Sequence, residues 1–165
     1  MGQSSGRAAP TTEGGGPDTN AEALDAVFWL LGPAEDGYEA ALEQLIRTAN
    51  VEVRRGLPEG FDVHDAYAAC DLVVMPSTWE GFGNPVLESV THRRPLALYP
   101  YPVACEIIDY GFRFFDIGDV VAITSFLENP DYEMYAHNVA IAVEHFNVAS
   151  LPARLSALLE SMEIQ

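Results

Sequence analysis

Short apolar runs alternate with stretches of helical period along this chain, and that alternation constrains the fold more than any other feature. The runs at residues 26–31, 72–75 and 96–99, and a short strand Val51-Glu52-Val53, are each followed by a segment of helical spacing. A strand buried on both faces has no polar side, so it reads as continuous apolar sequence. Parallel neighbours need a crossover between them, and the intervening helices supply it. The expected fold class is therefore α/β, a Rossmann-like parallel sheet with helices on both faces. Ligands of such sheets bind outside the carboxyl ends of the strands.

The helical segments are placed by their own signals. Residues 36–49 carry Tyr38, Ala41, Leu42, Leu45 and Ile46 on one face. Asp62 stands as an N-cap for a helix over 63–70. Pro85 opens a helix over 85–93, since its missing N–H costs nothing at the first position. A short helix is expected at 104–110, an edge strand at 112–115, and three helices at 119–128, 131–146 and 150–162. The last has an apolar stripe of Leu151, Leu155, Leu158 and Leu159, open to two readings: it packs on its own sheet or faces a partner. Residues 1–22 are rich in Gly, Ser, Thr and Pro and hold no large apolar side chain after Met1. They read as a disordered tail or linker. Residues 23–165 form the domain.

A length of 165 residues suits one domain. The net charge of -17 argues against nucleic acid and anionic membrane surfaces as partners. All eight basic residues are arginine, so a bound phosphate must be met by arginine or by backbone amides. Cys70 and Cys105 lack metal-ligand spacing and read as free thiols. No secretory leader and no membrane span is visible, so the expected location is cytoplasmic. The four histidines have no spacing that suggests a metal site.

The chemistry concentrates where the third run ends. In Glu80-Gly81-Phe82-Gly83-Asn84-Pro85-Val86-Leu87-Glu88, seven residues lie between the two glutamates. Glycines at 81 and 83 let the backbone approach a ligand and take positive φ. The following helix points its free N–H groups and its positive dipole end into the same space. Glu88 is expected in the first helical turn. A carboxylate beside a bound phosphate suits vicinal hydroxyls, because its two oxygens accept two O–H donors. The plainer alternative is that Glu88 complements the helix dipole and Glu80 is a solvated loop residue.

The stretch from Pro76 to Glu88 resembles the Glu-x7-Glu signature of retaining glycosyltransferases with the GT-B fold, notably family 4. Arg55-Gly56-Leu57-Pro58, Ala66-Tyr67-Ala68-Ala69-Cys70-Asp71 and Leu31-Gly32-Pro33 resemble flanking motifs of that family. The resemblance covers roughly residues 24–128. It implies the C-terminal, donor-binding half of such an enzyme. Glu80 would hold hydroxyls of the donor sugar and Glu88 the ribose. Gly81, Phe82, Gly83 and Asn84 would lie along the sugar and diphosphate, and Leu57 beside the base. The implied substrate is a nucleotide diphosphate sugar, whose hexose passes to an unidentified acceptor. Configuration would be retained with no metal and no cofactor, and no catalytic residue is named.

Departures from the family pattern bound this reading. The half resembled has a first strand and helix with no counterpart here, and its diphosphate-binding arginine–lysine pair is incomplete. An acceptor domain or subunit would have to be supplied as a partner. Tyr99-Pro100-Tyr101-Pro102 stands where the family has small residues, and Glu106 falls near a common family glutamate. The alternative function is a non-catalytic interaction or regulatory module derived from that fold. Arg54-Arg55 reads either as a nucleotide contact or as a solvated strand end. Arg93-Arg94 reads either as phosphate-binding or as a helix cap. The acids Asp116, Asp119, Glu128, Asp131, Glu133 and Glu144 read either as a face for a basic partner or as a solvated helical surface.

Overall fold

The computed structural model describes residues 26–163; the expected tail and Arg7 lie outside them. Strand β1 (Val27–Leu30) pairs in parallel with β2 (Glu52–Arg55), from Val27 opposite Glu52 to Leu30 opposite Arg55. Helix α1 (Glu39–Thr48) makes the crossover. Helix α2 (Val63–Ala69) leads to β3 (Val73–Met75), α3 (Asn84–Thr91) and β4 (Leu96–Leu98). Then come α4 (Pro102–Ile108), β5 (Phe115–Asp116), α5 (Val120–Glu128) and α6 (Tyr132–Phe146). A 3₁₀ turn over Val148–Ser150 precedes α7 (Leu151–Glu163). The sheets are parallel with helices on both sides.

The hydrogen-bonded ladder is in two pieces rather than one: β1–β2, and β3–β4–β5. The reason is visible in β2, whose Glu52, Arg54 and Arg55 are exposed and ion-paired: Arg54 with Glu52, and Arg55 with Glu39 and Glu43 of α1. A strand so charged does not lie in a buried centre. The expectation that the first apolar run is a buried strand is corrected accordingly, since Val27 is 47% exposed and α1 buries no residue fully. Arg54 and Arg55 thus serve the strand end and α1. The turn out of β2 is held by the Trp29 indole N–H, which donates to the Gly56 carbonyl at 2.7 Å.

The core belongs to the second piece. Met75, Val86, Val90, Leu96, Leu98, Tyr101, Ala104, Ile107 and Phe112 pack together, with Val139, Ala142 and Phe146 of α6 against them. Asn138 on the same helix is buried. Its Oδ1 accepts the Arg113 N–H and its Nδ2 donates to the Arg113 carbonyl, both at 2.9 Å, so the chain entering β5 is held by a side chain that mimics a strand.

Caps explain much of the remaining polar sequence. Asp62 accepts from the His64 and Asp65 amides, and Asp65 reaches back to the Asp62 amide, a complete capping box. Asp119 and Asp131 cap α5 and α6, and Asp116 accepts the Gly118 amide, so these members of the acidic run are turn and cap residues. Helix α3 ends in a Schellman motif with Arg93 at φ +53, and Arg94 donates to the Ala68 carbonyl at the end of α2. Both arginines end helices. The apolar stripe of α7 is open, with Leu151, Leu155, Leu158 and Leu159 all exposed. No described helix is long and apolar enough to cross a membrane.

Candidate functional site

Met75 is buried at the end of β3, and the chain turns at Pro76 into a loop that ends at Gly83. Gly83 is the N-cap of α3 at φ +74 and ψ +67, the left-handed region. A Cβ there would overlap the Tyr101 hydroxyl and stand 3.4 Å from Met75 Cε. Glycine is required at 83 both by backbone conformation and by this close approach. Gly81 differs: its φ is not positive, and a Cβ would meet nothing within 4 Å. The expectation of positive φ at both glycines therefore holds at Gly83 only.

Among the described residues, the amides of Gly81, Phe82, Gly83 and Asn84 have no acceptor. Pro85 supplies no N–H, and the Val86 amide is taken by the Gly83 carbonyl at 2.9 Å. The donors free to meet a ligand thus lie in the loop and at the first helical residue. Phe82 leans on Phe146 of α6, with ring centroids 6.3 Å apart. That contact ties the loop to an element more than sixty residues away. Trp79, before Glu80, is exposed, and Glu80 itself is half-buried.

Glu88 lies in the second turn of α3, because the helix starts at Asn84 and its first turn holds no acid. The expected first-turn position is corrected, and the dipole-complement reading loses its geometry with it. One carboxylate oxygen is already engaged: the Tyr67 hydroxyl donates to Glu88 Oε2 at 2.9 Å. The Tyr67 ring stacks on His92 at 4.6 Å, and His92 stacks on His64 at 5.1 Å. His92 Nδ1 lies 2.8 Å from the Glu88 carbonyl, which can only accept, so this nitrogen carries the proton. In the neutral ring Nε2 then accepts from His64 Nδ1 at 3.0 Å. Two rings and a phenol fix Glu88 by both its backbone and its side chain.

Burial, and then the hydrogen bond and charge of Glu88, push the Tyr67 phenol well above its usual range. A phenol whose pKa is raised on folding contributes stability that is full below the unfolded value of about 10 and falls as pH rises past it. Between pH 8 and 11 the melting temperature of the wild type should therefore fall more steeply than that of Tyr67→Phe. Cys70, Tyr101 and Tyr135 are pushed the same way by burial, and both proteins share them. Parallel curves in thermal denaturation would show that the Tyr67 proton is not held by Glu88.

The structure brings Glu80, Gly81, Phe82, Gly83, Asn84 and Glu88 onto one strand–loop–helix at the carboxyl end of β3. Leu57 is half-buried after β2, in the other ladder, also at a carboxyl end. Three neighbours escaped the sequence reading. Tyr67 was visible only as part of a helix, His92 as an unpaired histidine, and Tyr101 as an anomaly beside two prolines.

Residues 17–145 match the family model described as "Glycosyl transferases group 1". Mannosylglucosylglycerate synthase of Petrotoga mobilis is 35% identical over 68 residues, covering 41% of this chain and 16% of that protein. The Thermotoga maritima synthase of the same name is 29% identical, over 54% of this chain and 26% of that protein. The chain thus spans about a quarter or less of the curated relatives it matches. The pneumococcal O-GlcNAc transferase GtfA, solved in complex with UDP and GlcNAc, superposes with a TM-score of 0.61 at 16% identity, covering 87% of this chain and 31% of that one. At that identity the likeness is one of fold.

Proposed function

Since the chain belongs to the group 1 glycosyl transferases, we propose that it is the donor-binding part of a retaining hexosyltransferase. The observation that carries this reading is the row of unpartnered amides from Gly81 to Asn84, set between two glutamates at the start of α3. Those amides and the helix dipole offer a nucleoside diphosphate sugar its anion site without lysine. Glu80 takes hydroxyls of the sugar. Glu88 takes the ribose through the oxygen that Tyr67 leaves free, and Tyr67 keeps the carboxylate from rotating away. Leu57 lies beside the base.

The reaction would displace the diphosphate from the anomeric carbon on the face the acceptor approaches. Negative charge grows on the leaving phosphate, and fixed amide dipoles stabilise it without reorganising. The acceptor would be held by a further domain or subunit. The relatives named as mannosylglucosylglycerate synthases, and a neighbour solved with UDP, support a nucleotide sugar as the donor.

Titration with UDP, GDP, ADP and their hexose conjugates tests this directly. The amide resonances of residues 81–88 should shift with at least one of them; silence with all would sink the donor site. Glu88→Ala should then weaken the responding nucleotide by about 1–3 kcal/mol, since hydrogen bonds to a charged acceptor are lost. Unchanged affinity would leave Glu88 as a partner of Tyr67 alone.

One observation favours a second reading, binding without transfer. Arg54, Arg55, Arg94 and Arg154 are all committed to carboxylates or carbonyls of the protein itself. Release of nucleoside diphosphate from the bound nucleotide sugar, which accompanies both transfer and hydrolysis and not binding alone, separates the two.

A further inference from the structure

Tyr101 is 1% exposed, and its hydroxyl has no hydrogen-bond partner among the described residues. A buried phenol that makes no hydrogen bond is costly, and native structures rarely keep one without use. The fold has not placed it at random. A short turn, in which the Tyr101 amide donates to the Tyr99 carbonyl at 2.9 Å, directs the chain out of β4 and into α4. The ring then packs in the core with Met75, Val86 and Leu98. Its hydroxyl ends against Gly83, at the very place where a side chain would project. That is the residue joining the row of free amides to α3. A phenylalanine would fill the same core volume without the unmet polar atom, so packing alone does not explain the oxygen.

We propose that Tyr101 is a ligand-contacting residue of the donor site, its hydroxyl donating a hydrogen bond to an oxygen of the bound nucleotide sugar. The inference rests on the donor-site reading above and adds a residue that reading does not use. Gly83 covers the hydroxyl with backbone alone. Ligand capture on the Gly81–Asn84 amides draws Gly83 aside and gives the hydroxyl its acceptor. The hydroxyl is protonated at neutral pH, as any phenol with a pKa of about 10 or above is, and so stands as a donor. The acceptor is either a diphosphate oxygen or a sugar oxygen; both are oxygens of one ligand.

Tyr101→Phe tests this, with the nucleoside diphosphate and its hexose conjugate titrated separately by calorimetry. The variant should be as stable as the wild type or more so, and should bind three- to tenfold more weakly. Equal loss with both ligands assigns the bond to the diphosphate. Loss with the hexose conjugate alone assigns it to the sugar. The Tyr101 Cζ resonance, identified by its absence in the variant, should also move when ligand binds to the wild type. A structural phenol would not move it. Wild-type binding with equal affinity in Tyr101→Phe overturns the proposal and leaves the donor site standing. Failure of the wild type to bind any of these nucleotides overturns both.

Discussion

Gly83→Ala should destabilise the domain by about 2–4 kcal/mol, and Tyr101→Phe should return part of that loss. Two separate costs meet at this position. An alanine at φ +74 sits in the left-handed region, which costs an L-residue about 1 kcal/mol or more. Its methyl would also overlap the Tyr101 hydroxyl, inside a core already packed with Met75 and Val86. Overpacking of that kind costs about 1–3 kcal/mol. Removing the hydroxyl relieves the second cost and leaves the first. The double variant should therefore recover about 1–2 kcal/mol relative to Gly83→Ala. Urea denaturation of the four proteins closes the cycle. Strict additivity would mean that Tyr101 and Gly83 are not in contact. Gly81→Ala is the matching control, because an ordinary φ and open space predict a change within about 0.5 kcal/mol.

Asn138→Ala should cost about 2–4 kcal/mol. Deleting the amide leaves both the Arg113 N–H and the Arg113 carbonyl without the partners they have at 2.9 Å. Each half-buried backbone group stranded this way costs about 1–3 kcal/mol. A small cavity in α6 adds to it. The damage should be local in origin: amide exchange near residues 113–116 should accelerate before the loop at 81–83 responds. A denaturation midpoint close to that of the wild type would show that water replaces the side chain. Asn138→Asp keeps the acceptor for the Arg113 N–H but sets a second carboxylate oxygen against the Arg113 carbonyl at a buried position, so at neutral pH it should cost at least as much as the alanine change.

Both positions show how far the sequence carries. The helix expected over 131–146 is α6, Tyr132–Phe146, and that over 119–128 is α5, Val120–Glu128. Their caps, Asp131 and Asp119, act within three residues of themselves, so local sequence was enough. The Asp62 capping box is legible for the same reason. The strand–loop–helix around Glu80 and Glu88 was equally readable, since its glycines, proline and carboxylates lie close in sequence.

What failed was whatever depended on distant partners. Pro85 marks a helix start that would put Glu88 in the first turn, whereas Gly83 closes the loop earlier and places Asn84 first. The first apolar run reads as buried, but its only ladder partner among the described residues is a charged strand. Composition along one strand does not say which strand lies beside it.

The sequence by itself determined the α/β class, the order of the helices and the position of the glycine loop, because period, caps and turn residues act over a few neighbours. Only the tertiary structure decided that Tyr67 holds Glu88 from 21 residues away, that Phe82 rests on Phe146, and that the Tyr101 hydroxyl lies under Gly83. Those contacts follow from how parallel strands and crossover helices stack in space, and no local signal encodes which side chains then meet.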